Sequence, residues 1–354
     1  MNVPFLRKYV EHRYVSKNVK VPVDELAVSL PDGKLPFAIC PTTTGNSWQG
    51  VLSATAGLFG NRVFQIPQYY SNCIYTEKEL HAIAAKIAQT EAEHIVFSGY
   101  LPYFDVLIAD IVKSGKAVSL IYHGSHTSVL EDRNAATHFD TMFKMQKQGL
   151  IHHIGFVKKD MDKSFELLTG QKSFPILLKT DESLFGRNYE KFEGLNIGVM
   201  THDSFRKNLY NMVSAALLHK DAKVHIKEKY LTFYLQNSDR LITHGYFKSQ
   251  DDFYRVIGSV DLNMYVTFSE CWGQFVNESL ALGVPCLCSD VSAVLDFDDD
   301  LKKMLVVNEF DNDYAIYKKS VEVLQNLDFF KEKGPEYVRK VNILADEKLN
   351  EFLG

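Results

Sequence analysis

Two glutamates, Glu270 and Glu278, flank a glycine where a predicted strand turns into a predicted helix. Gly273 permits a sharp turn, and the backbone N–H groups from about Gly273 to Val276 would then lie at the positive end of the helix. A helix start of this kind binds phosphate groups, and a diphosphate fits it. Glu278 lies one turn further in and can accept two hydrogen bonds from vicinal hydroxyls such as those of a ribose. Glu270, at the strand end, would meet hydroxyls of a sugar.

The elements that must position these residues alternate between short apolar runs and longer amphipathic stretches. In the first half, residues 37–40, 94–99 and 118–124 are predicted buried strands. Between them, Thr76 begins a helical stretch with glutamate in its first turn, as a capping residue does. Strand and helix alternation of this kind predicts a parallel sheet with crossover helices.

The same pattern starts again in the second half, after a polar and aromatic segment without clear period. A chain of 354 residues exceeds what one hydrophobic core usually supports, which favours two domains. We predict a first α/β domain over residues 1–188, a second over 189–330 and a C-terminal helix over 331–354. Two such domains facing one another would form a cleft at the carboxyl ends of their strands, where ligands bind.

Composition excludes several classes of protein. The formal net charge of -5 argues against a nucleic acid as the main partner, because phosphate binding needs a clustered basic surface. Acids and bases nearly balance before Thr180, so we expect any peripheral contact with an anionic membrane to use the first half. The sequence shows neither a signal peptide nor an apolar run long enough to span a bilayer. We therefore expect a cytoplasmic protein, with the inner face of the membrane left open, and the oligomeric state undetermined.

The stretch DLNMYVTFSECWGQFVNESLALGVPCLCSDV resembles the most diagnostic segment of glycosyltransferase family 4, which contains retaining sugar-nucleotide enzymes of the GT-B fold. In that family a strand ends in serine or threonine, and an acid, a glycine and aromatic turn, a second acid, a small-residue helix and Gly-x-Pro follow. The corresponding residues here are Ser269, Glu270, Gly273, Glu278, Ala281, Gly283 and Pro285. The family tends to have glycine and phenylalanine where this chain has Cys271 and Trp272, and that bulk points to unusual donor choice.

The resemblance implies that Gly273, Gln274 and Phe275 bind the donor diphosphate, while Glu278 binds its ribose. Glu270 would orient the transferred sugar rather than attack it. The alternative is that both glutamates are solvated charges beside a core helix, as most glutamates are. The order and spacing of the whole segment favour the binding interpretation.

Two further segments of the second half fit the same family. His244, Gly245 and Tyr246 follow a predicted strand, and the resemblance implies that they contact the nucleobase through backbone groups. Alternatively, His244 is a capping or core histidine and Gly245 a turn residue.

After the first strand of the second domain, the family carries an arginine and then a lysine aimed at the diphosphate. Lys207 falls at the lysine position, His202 stands at the arginine position, and Arg206 is an additional cation. We expect Lys207 and Arg206 to stabilise a leaving diphosphate, although either could decorate an exposed helix face. Since no metal-ligand cluster is visible, we predict a metal-independent reaction without a cofactor.

The first domain resembles the family less closely. His123 follows a predicted strand, and the resemblance places it beside the transferred sugar, although it could equally cap the strand. Gly45, Asn46 and Ser47 occupy the place of the family's loop near the donor phosphate and the acceptor. Aromatic residues that could stack on acceptor sugars are Trp48, Tyr69 and Tyr70.

The predicted architecture is GT-B: two Rossmann-like domains facing a central cleft. The last helix, beginning near Pro335, would cross back to the first domain or pack only on its own. The predicted activity is that of a retaining hexosyltransferase that moves a sugar from a nucleotide-diphosphate sugar to a glycan, lipid-linked or protein acceptor, with Glu270, His123 and Lys207 as catalytic residues. The alternatives are a catalytically silent GT-B subunit that binds glycan or a partner protein, and a sugar-nucleotide epimerase.

Overall fold

The computed structural model describes residues 19–43, 48–69, 72–127, 135–227 and 239–354. The chain divides into two compact units: a first unit of Met1–Leu178 with Ala345–Gly354, and a second unit of Lys179–Leu344. The units thus divide after Leu178, and the domain boundary that we place after residue 188 stays a prediction.

The first unit is built on a parallel sheet, as the alternation predicts. Its described strands are β1 Phe37–Thr43, β2 Val63–Gln68, β3 His94–Ser98, β4 Ala117–Tyr122, β5 Ile154–Phe156 and β6 Ser173–Pro175. Its described helices are α1 Val23–Ala27, α2 Gln49–Phe59, α3 Glu77–Ala88, α4 Phe104–Lys113, α5 Ala135–Lys147 and α6 Met161–Thr169. The strand order is β2-β1-β3-β4-β5-β6, with parallel pairing throughout.

The predicted cap of α3 is confirmed. The Thr76 side chain accepts the backbone N–H of Glu79, and the Glu79 carboxylate accepts the backbone N–H of Thr76. This reciprocal pair satisfies two N–H groups that the first helical turn cannot bond internally. The helix then buries Leu80, Ile83 and Ile87 in the core of the first unit.

The second unit has a second parallel sheet. Its described strands are β7 Asn196–Val199, β8 Lys223–Ile226, β9 Leu241–Thr243, β10 Leu262–Tyr265 and β11 Cys286–Cys288. Its described helices are α7 Leu209–Leu217, α8 Gln250–Ser259, α9 Gln274–Ala281, α10 Asp299–Leu305, α11 Asp313–Leu324 and the beginning of α12 Leu327–Leu353. The strand order is β11-β10-β7-β8-β9, so β7 and β10 are central neighbours.

The apolar spacing of residues 204–220 predicts one continuous helix, but the structure interrupts it. A 3-10 turn covers Phe205–Lys207, and α7 begins only at Leu209. Asn208 between them has a left-handed backbone with φ +53°, which asparagine tolerates better than most residues. Its side-chain amide donates to the carbonyl oxygens of Val266 at 2.9 Å and Phe310 at 2.6 Å. These tertiary bonds hold the break, and the 3-10 turn presents Arg206 and Lys207 beyond the end of β7.

The last helix begins earlier than predicted: α12 starts at Leu327 and contains Pro335 in its interior. Proline lacks an N–H group, so the carbonyl of Lys331 receives no helical hydrogen bond from it. Near this proline, the backbone of α12 packs closely against the backbone at the end of α9. A Cβ on Gly334 would lie 2.6 Å from the Leu280 carbonyl oxygen, and one on Gly283 would lie 3.2 Å from the Lys331 Cα.

The last residues of α12 belong to the first unit, which confirms the predicted return of the final helix. There Phe352 is fully buried, and its ring approaches that of Phe174 at 5.9 Å between centroids. The imidazole Nδ1 of His153 lies 2.7 Å from the carbonyl oxygen of Phe352. Gly155 leaves room for the Phe352 ring, because a Cβ on Gly155 would lie 3.2 Å from that ring.

Candidate active site

A cluster of charged and hydroxyl groups lies at the carboxyl ends of β7 and β10. Lys207 Nζ donates hydrogen bonds to the Tyr265 hydroxyl and to Glu270 Oε2. The Tyr265 hydroxyl donates to the same carboxylate oxygen at 2.6 Å, and Arg206 Nη1 lies 3.6 Å from it. Glu270 Oε1 accepts the backbone N–H of Cys271 at 3.1 Å. The structure therefore brings three predicted site residues, Glu270, Lys207 and Arg206, together.

The electrostatics of this cluster keep Glu270 ionised. Burial by itself raises the pKa of Glu270, but the charge and hydrogen bond of Lys207, the hydrogen bond of Tyr265 and the charge of Arg206 together bring the pKa below its ordinary value. The Lys207 and Glu270 side chains are only 11% and 15% exposed. Glu270 is thus suited to accept hydrogen bonds from hydroxyls, and Lys207 to act as a fixed cation.

The start of α9 offers free backbone donors beside this cluster. Gly273 precedes the helix with φ +85°, a conformation that glycine adopts without strain. In the described part of the chain, the N–H groups of Gly273, Gln274 and Phe275 donate to no partner, whereas Val276 N–H is engaged with the carbonyl of Gly273 at 2.9 Å. The predicted row of donors therefore ends at Phe275. A Cβ on Gly273 would lie 3.8 Å from Glu270 Cγ, so the helix start adjoins the charged cluster.

Glu278 lies one helical turn further along α9, in a different environment from Glu270. The Tyr254 hydroxyl donates to its Oε1 at 3.4 Å. Burial raises the pKa of Glu278 to about 7, with the hydrogen bond from Tyr254 opposing the shift and the charge of Asp181 adding to it. The side-chain Nε2 of Gln274 donates to the Lys179 carbonyl at 3.0 Å.

His244 follows β9 and belongs to a row of stacked rings. Its imidazole Nε2 lies 2.9 Å from Nδ1 of His225, and the two rings stack with centroids 5.2 Å apart. Phe192 stacks on His225, and Phe247 stacks on His244. The next residue of the chain, Gly245, has φ +70° and is followed by Tyr246, which is 73% exposed. The ring of His244 is thus held in place and could contribute more than its backbone.

In the first unit, His123 ends a hydrogen-bonded chain at the carboxyl end of β4. Its Nε2 lies 2.9 Å from Ser98 Oγ, which lies 2.6 Å from Thr55 Oγ1. The Thr55 hydroxyl donates to the Val51 carbonyl at 2.7 Å. Burial lowers the pKa of His123 to about 4, so the ring is neutral near pH 7. The role of His123 beside the transferred sugar stays a prediction.

No protein-family model matches the chain, and no curated protein matches it. Solved structures do match. A sucrose-phosphate synthase from Thermosynechococcus elongatus aligns with a TM-score of 0.60 at 12% identity, over 90% of this chain and 99% of that one. The fold is GT-B.

Two further GT-B structures align with the chain. An alpha,alpha-trehalose-phosphate synthase (UDP-forming) from Burkholderia vietnamiensis has a TM-score of 0.56 at 8% identity, over 88% of this chain and 97% of that one. The pneumococcal O-GlcNAc transferase GtfA, in complex with UDP and GlcNAc, has a TM-score of 0.54 at 12% identity, over 78% of this chain and 59% of that one. These matches confirm the predicted fold class, while membership of family 4 stays a prediction.

His202 and Trp272 are the two unusual residues that the sequence of this GT-B chain singles out. His202, at the predicted arginine position, is exposed, and Lys227 Nζ lies 3.1 Å from its Nε2. Trp272 is only 2% exposed, and among the described residues its indole N–H has no hydrogen-bond partner. The indole is therefore a buried packing group of the second unit, so its bulk does not project into open space beside Glu270.

Several predicted first-unit residues cannot be placed. Gly45, Asn46 and Ser47 lie outside the described residues, as does Tyr70. Trp48 is described and packs beside β3, because a Cβ on Gly99 would lie 2.5 Å from its ring. Acceptor stacking by the aromatic residues therefore stays a prediction.

Over the described part of the chain, no three His, Cys, Asp or Glu side chains are grouped so that they could hold a metal ion. Metal independence stays a prediction. No helix among the described residues is both long and apolar enough to cross a membrane.

Sequence reasoning missed four residues that shape the site. Tyr265 and Tyr254 bond to Glu270 and Glu278, and Asn196 and His225 bond in a row with His244. Asn196 and His225 are each a polar residue inside an apolar strand segment. This pattern could have identified them, because such a residue needs a buried hydrogen-bond partner. The two tyrosines gave no such signal, because tyrosine is common in packed strands and helices.

Proposed function

We propose that the chain transfers a hexosyl group from a nucleotide-diphosphate sugar to an acceptor hydroxyl. The observation that carries the proposal is the adjacency, within the second unit, of the Lys207–Glu270 pair and the unpaired N–H groups at the start of α9. This places a fixed cation, a carboxylate acceptor and helix-start donors around one small region. Glu278 lies one turn away, at a spacing that suits the next part of the same ligand.

Each part of the donor has a chemically matched partner in this arrangement. The N–H groups of Gln274 and Phe275, with Lys207, suit the diphosphate. Glu278 suits the two ribose hydroxyls, because an ionised carboxylate accepts two hydrogen bonds. Glu270 would orient hydroxyls of the transferred sugar.

The proposed reaction is a retaining displacement without a metal ion. The bond between the anomeric carbon and the β-phosphate oxygen breaks, and the acceptor oxygen forms its bond to that carbon on the same face. The acceptor's hydroxyl proton passes to the leaving diphosphate. Lys207 and Arg206 stabilise the negative charge that develops on that diphosphate, the role that preorganised cations have in phosphate departure. Glu270, held by hydrogen bonds, serves as an orienting acceptor rather than a nucleophile.

The nature of the donor is supported by the similar structures. One is a UDP-forming synthase and another was solved with UDP, so a UDP-sugar is the first donor to test. The acceptor hydroxyl would belong to a glycan, a lipid-linked sugar or a protein. Contact with the inner face of a membrane stays a prediction.

A second candidate function is a catalytically silent subunit that binds a glycan or a partner protein. The observation that favours it is His202, which stands where an arginine is predicted and interacts with Lys227. A site that lost one phosphate-binding cation could keep ligand binding and lose turnover.

The test is nucleotide release from a panel of UDP-, GDP-, ADP- and TDP-sugars. We expect release with at least one donor, and a loss of release of at least about 100-fold in Lys207→Met, because a fixed cation at a leaving group contributes that much. Lys220→Met is the matched control, since this exposed lysine of the second unit makes no hydrogen bond or ion pair through its side chain among the described residues. Release from no donor, with binding intact, would support the silent subunit. Conversion of the donor into an isomeric sugar nucleotide would support an epimerase.

A further inference from the structure

A hydrogen-bonded row of three side chains runs beneath the loop after β9. Asn196 Oδ1 lies 2.9 Å from Nε2 of His225, whose Nδ1 lies 2.9 Å from Nε2 of His244. Asn196 is fully buried and His225 is 2% exposed, whereas His244 is partly exposed at the end of the row. The row therefore connects the interior of the second unit to its surface.

The orientation of the Asn196 amide is fixed by two backbone carbonyls. Its Nδ2 donates to Gly194 O at 2.9 Å and to Glu193 O at 3.2 Å. A flipped amide would place its oxygen against both carbonyl oxygens, which would be repulsive. The amide oxygen therefore faces His225, and His225 Nε2 must carry the hydrogen of that bond.

This assignment fixes the proton positions along the whole row. Burial lowers the pKa of His225 to about 4, so the ring is neutral near pH 7 and its Nδ1 carries a lone pair. The hydrogen between the two rings must then come from Nε2 of His244. Burial also lowers the pKa of His244, so that ring is neutral too and its Nδ1 is left as an acceptor. Stacking of Phe192 and Phe247 on the two rings holds them in this geometry.

The surroundings of that acceptor are backbone donors and exposed aromatic surface. In the described part of the chain, Nδ1 of His244 and the N–H groups of Gly245 and Tyr246 have no hydrogen-bond partner. Tyr246 presents a ring that is 73% exposed. A loop of this kind combines one acceptor, neighbouring donors and a stacking surface, which together suit the edge and face of a nucleobase.

The pattern selects among bases. Uracil and thymine present an N–H between two carbonyl oxygens, so their N–H matches the His244 acceptor and their carbonyls match backbone donors. Cytosine presents a lone pair at that ring nitrogen, which would face the lone pair of His244. We infer that His244 Nδ1 accepts a hydrogen bond from the ring N–H of a uracil or thymine base, and that Asn196 and His225 are positioning residues that fix its tautomer. The inference rests on the proposed function.

The first test is equilibrium binding of UDP, 5-methyl-UDP, CDP and N3-methyl-UDP by titration calorimetry. All four share the ribose, the diphosphate and a pyrimidine ring, so they differ mainly at the base. We expect UDP and 5-methyl-UDP to bind about tenfold tighter than CDP and N3-methyl-UDP, as one hydrogen bond and one avoided repulsion imply. Equal binding of CDP or N3-methyl-UDP would overturn the inference and leave the proposed function standing. Binding of none of the four would overturn the inference, and the release test with GDP- and ADP-sugars would then decide the proposed function.

A second test reads the tautomer directly, without a variant. In protein labelled with 15N-histidine, long-range proton–nitrogen spectra at pH 7 should show Nδ1 of His244 unprotonated and Nε2 protonated. A protonated Nδ1 would overturn the inference even if UDP binds. Asn196→Leu removes the amide oxygen, so we expect a mixture of His244 tautomers and a smaller UDP-to-CDP preference.

Because Asn196 is fully buried and its replacement can disturb folding, His244→Leu at the row's exposed end is the second variant. It should bring the affinity for UDP down to that for CDP while diphosphate binding persists. A UDP preference that survives in His244→Leu would contradict the role of its ring.

Discussion

At the scale of single residues, two glutamates of one short segment have opposite environments. Glu270 is surrounded by Lys207, Arg206 and Tyr265, which together hold its pKa below the ordinary value although burial raises it. Glu278 accepts a hydrogen bond from the Tyr254 hydroxyl, and burial raises its pKa to about 7. Glu270 is therefore held as an anion, whereas the charged form of Glu278 would be stabilised by a ligand that donates hydrogen bonds to it.

The affinity for a nucleoside diphosphate should rise with pH through about 7. Glu278 accepts ribose hydroxyls best as a carboxylate, and below its folded-state pKa of about 7 a proton competes with them. We expect the affinity for UDP to increase several-fold between pH 6 and pH 8. In Glu278→Gln this pH dependence should disappear, together with most of the affinity. A wild-type titration that is flat with pH, with tight binding at both ends, would contradict the ribose assignment.

The same group should lower stability at alkaline pH. Because its pKa is raised from 4.5 to about 7, Glu278 contributes stability that is fully present below about 4.5 and is lost as the pH rises through about 7. Glu278→Gln should therefore match the wild type near pH 5 and exceed its free energy of unfolding by about 1–3 kcal/mol at pH 8. Urea denaturation at the two pH values measures this. The exposed Glu190→Gln serves as control and should show no such gain.

Lys207 and Glu270 should be energetically coupled. Lys207→Met leaves a largely buried carboxylate with fewer partners and should cost about 2–4 kcal/mol of stability. In Lys207→Met/Glu270→Gln the charge left without its main partner is gone, so the loss should be smaller than the sum of the two single losses by about 1–3 kcal/mol. Thermal or urea unfolding of the four proteins gives the coupling. Strict additivity would show that the pair is not formed in solution.

Sequence reasoning located the charged members of the site because they follow strand ends at a recognisable spacing. It could not pair Lys207 with Glu270, since their contact depends on β7 and β10 being neighbours in the sheet. It also took Trp272 for a group beside the sugar, whereas burial places the indole in the packing of the second unit. The hydrogen-bond partners that other strands and helices contribute could not be predicted for the same reason.

At the scale of elements, the alternation of strands and helices was predictable, and the exceptions have tertiary causes. The break at Asn208 is fixed by its bonds to Val266 and Phe310, which helical periodicity does not reveal. Pro335 by itself predicts a helix start, because proline favours the first turn. The preceding turns of α12 form nonetheless, as Gly334 and Gly283 let its backbone approach α9 closely.

The close approach of α12 and α9 yields a prediction about Gly334. An alanine Cβ there would lie 2.6 Å from the Leu280 carbonyl oxygen, and backbone on both sides must shift to relieve that contact. Gly334→Ala should therefore lose about 1–3 kcal/mol of stability by urea unfolding, as overpacking does, in spite of the better helix propensity of alanine.

Gly50→Ala is the matched control for that variant. Gly50 lies in α2, and a Cβ there would meet nothing within 4 Å. This substitution should be neutral or stabilising by up to about 1 kcal/mol. Equal effects of the two substitutions would argue against the tight packing at Gly334.

At the scale of the whole molecule, the GT-B fold was predictable from the alternation of strands and helices together with the segment of residues 261–291. The three solved structures described above are at most 12% identical to this chain, so they support the fold. The donor and the acceptor have to be identified by experiment. The proposed chemistry rests on a few side chains of the second unit, because one fold can carry many different functions.

The most direct test of the account is a crystal structure of the chain with bound UDP. The account predicts that the diphosphate contacts Lys207 Nζ and the N–H groups of Gln274 and Phe275 at 2.7–3.2 Å or so, an ordinary hydrogen-bond range. It also predicts that both ribose hydroxyls meet Glu278. UDP bound elsewhere on the chain, or with its diphosphate away from the start of α9, would contradict it.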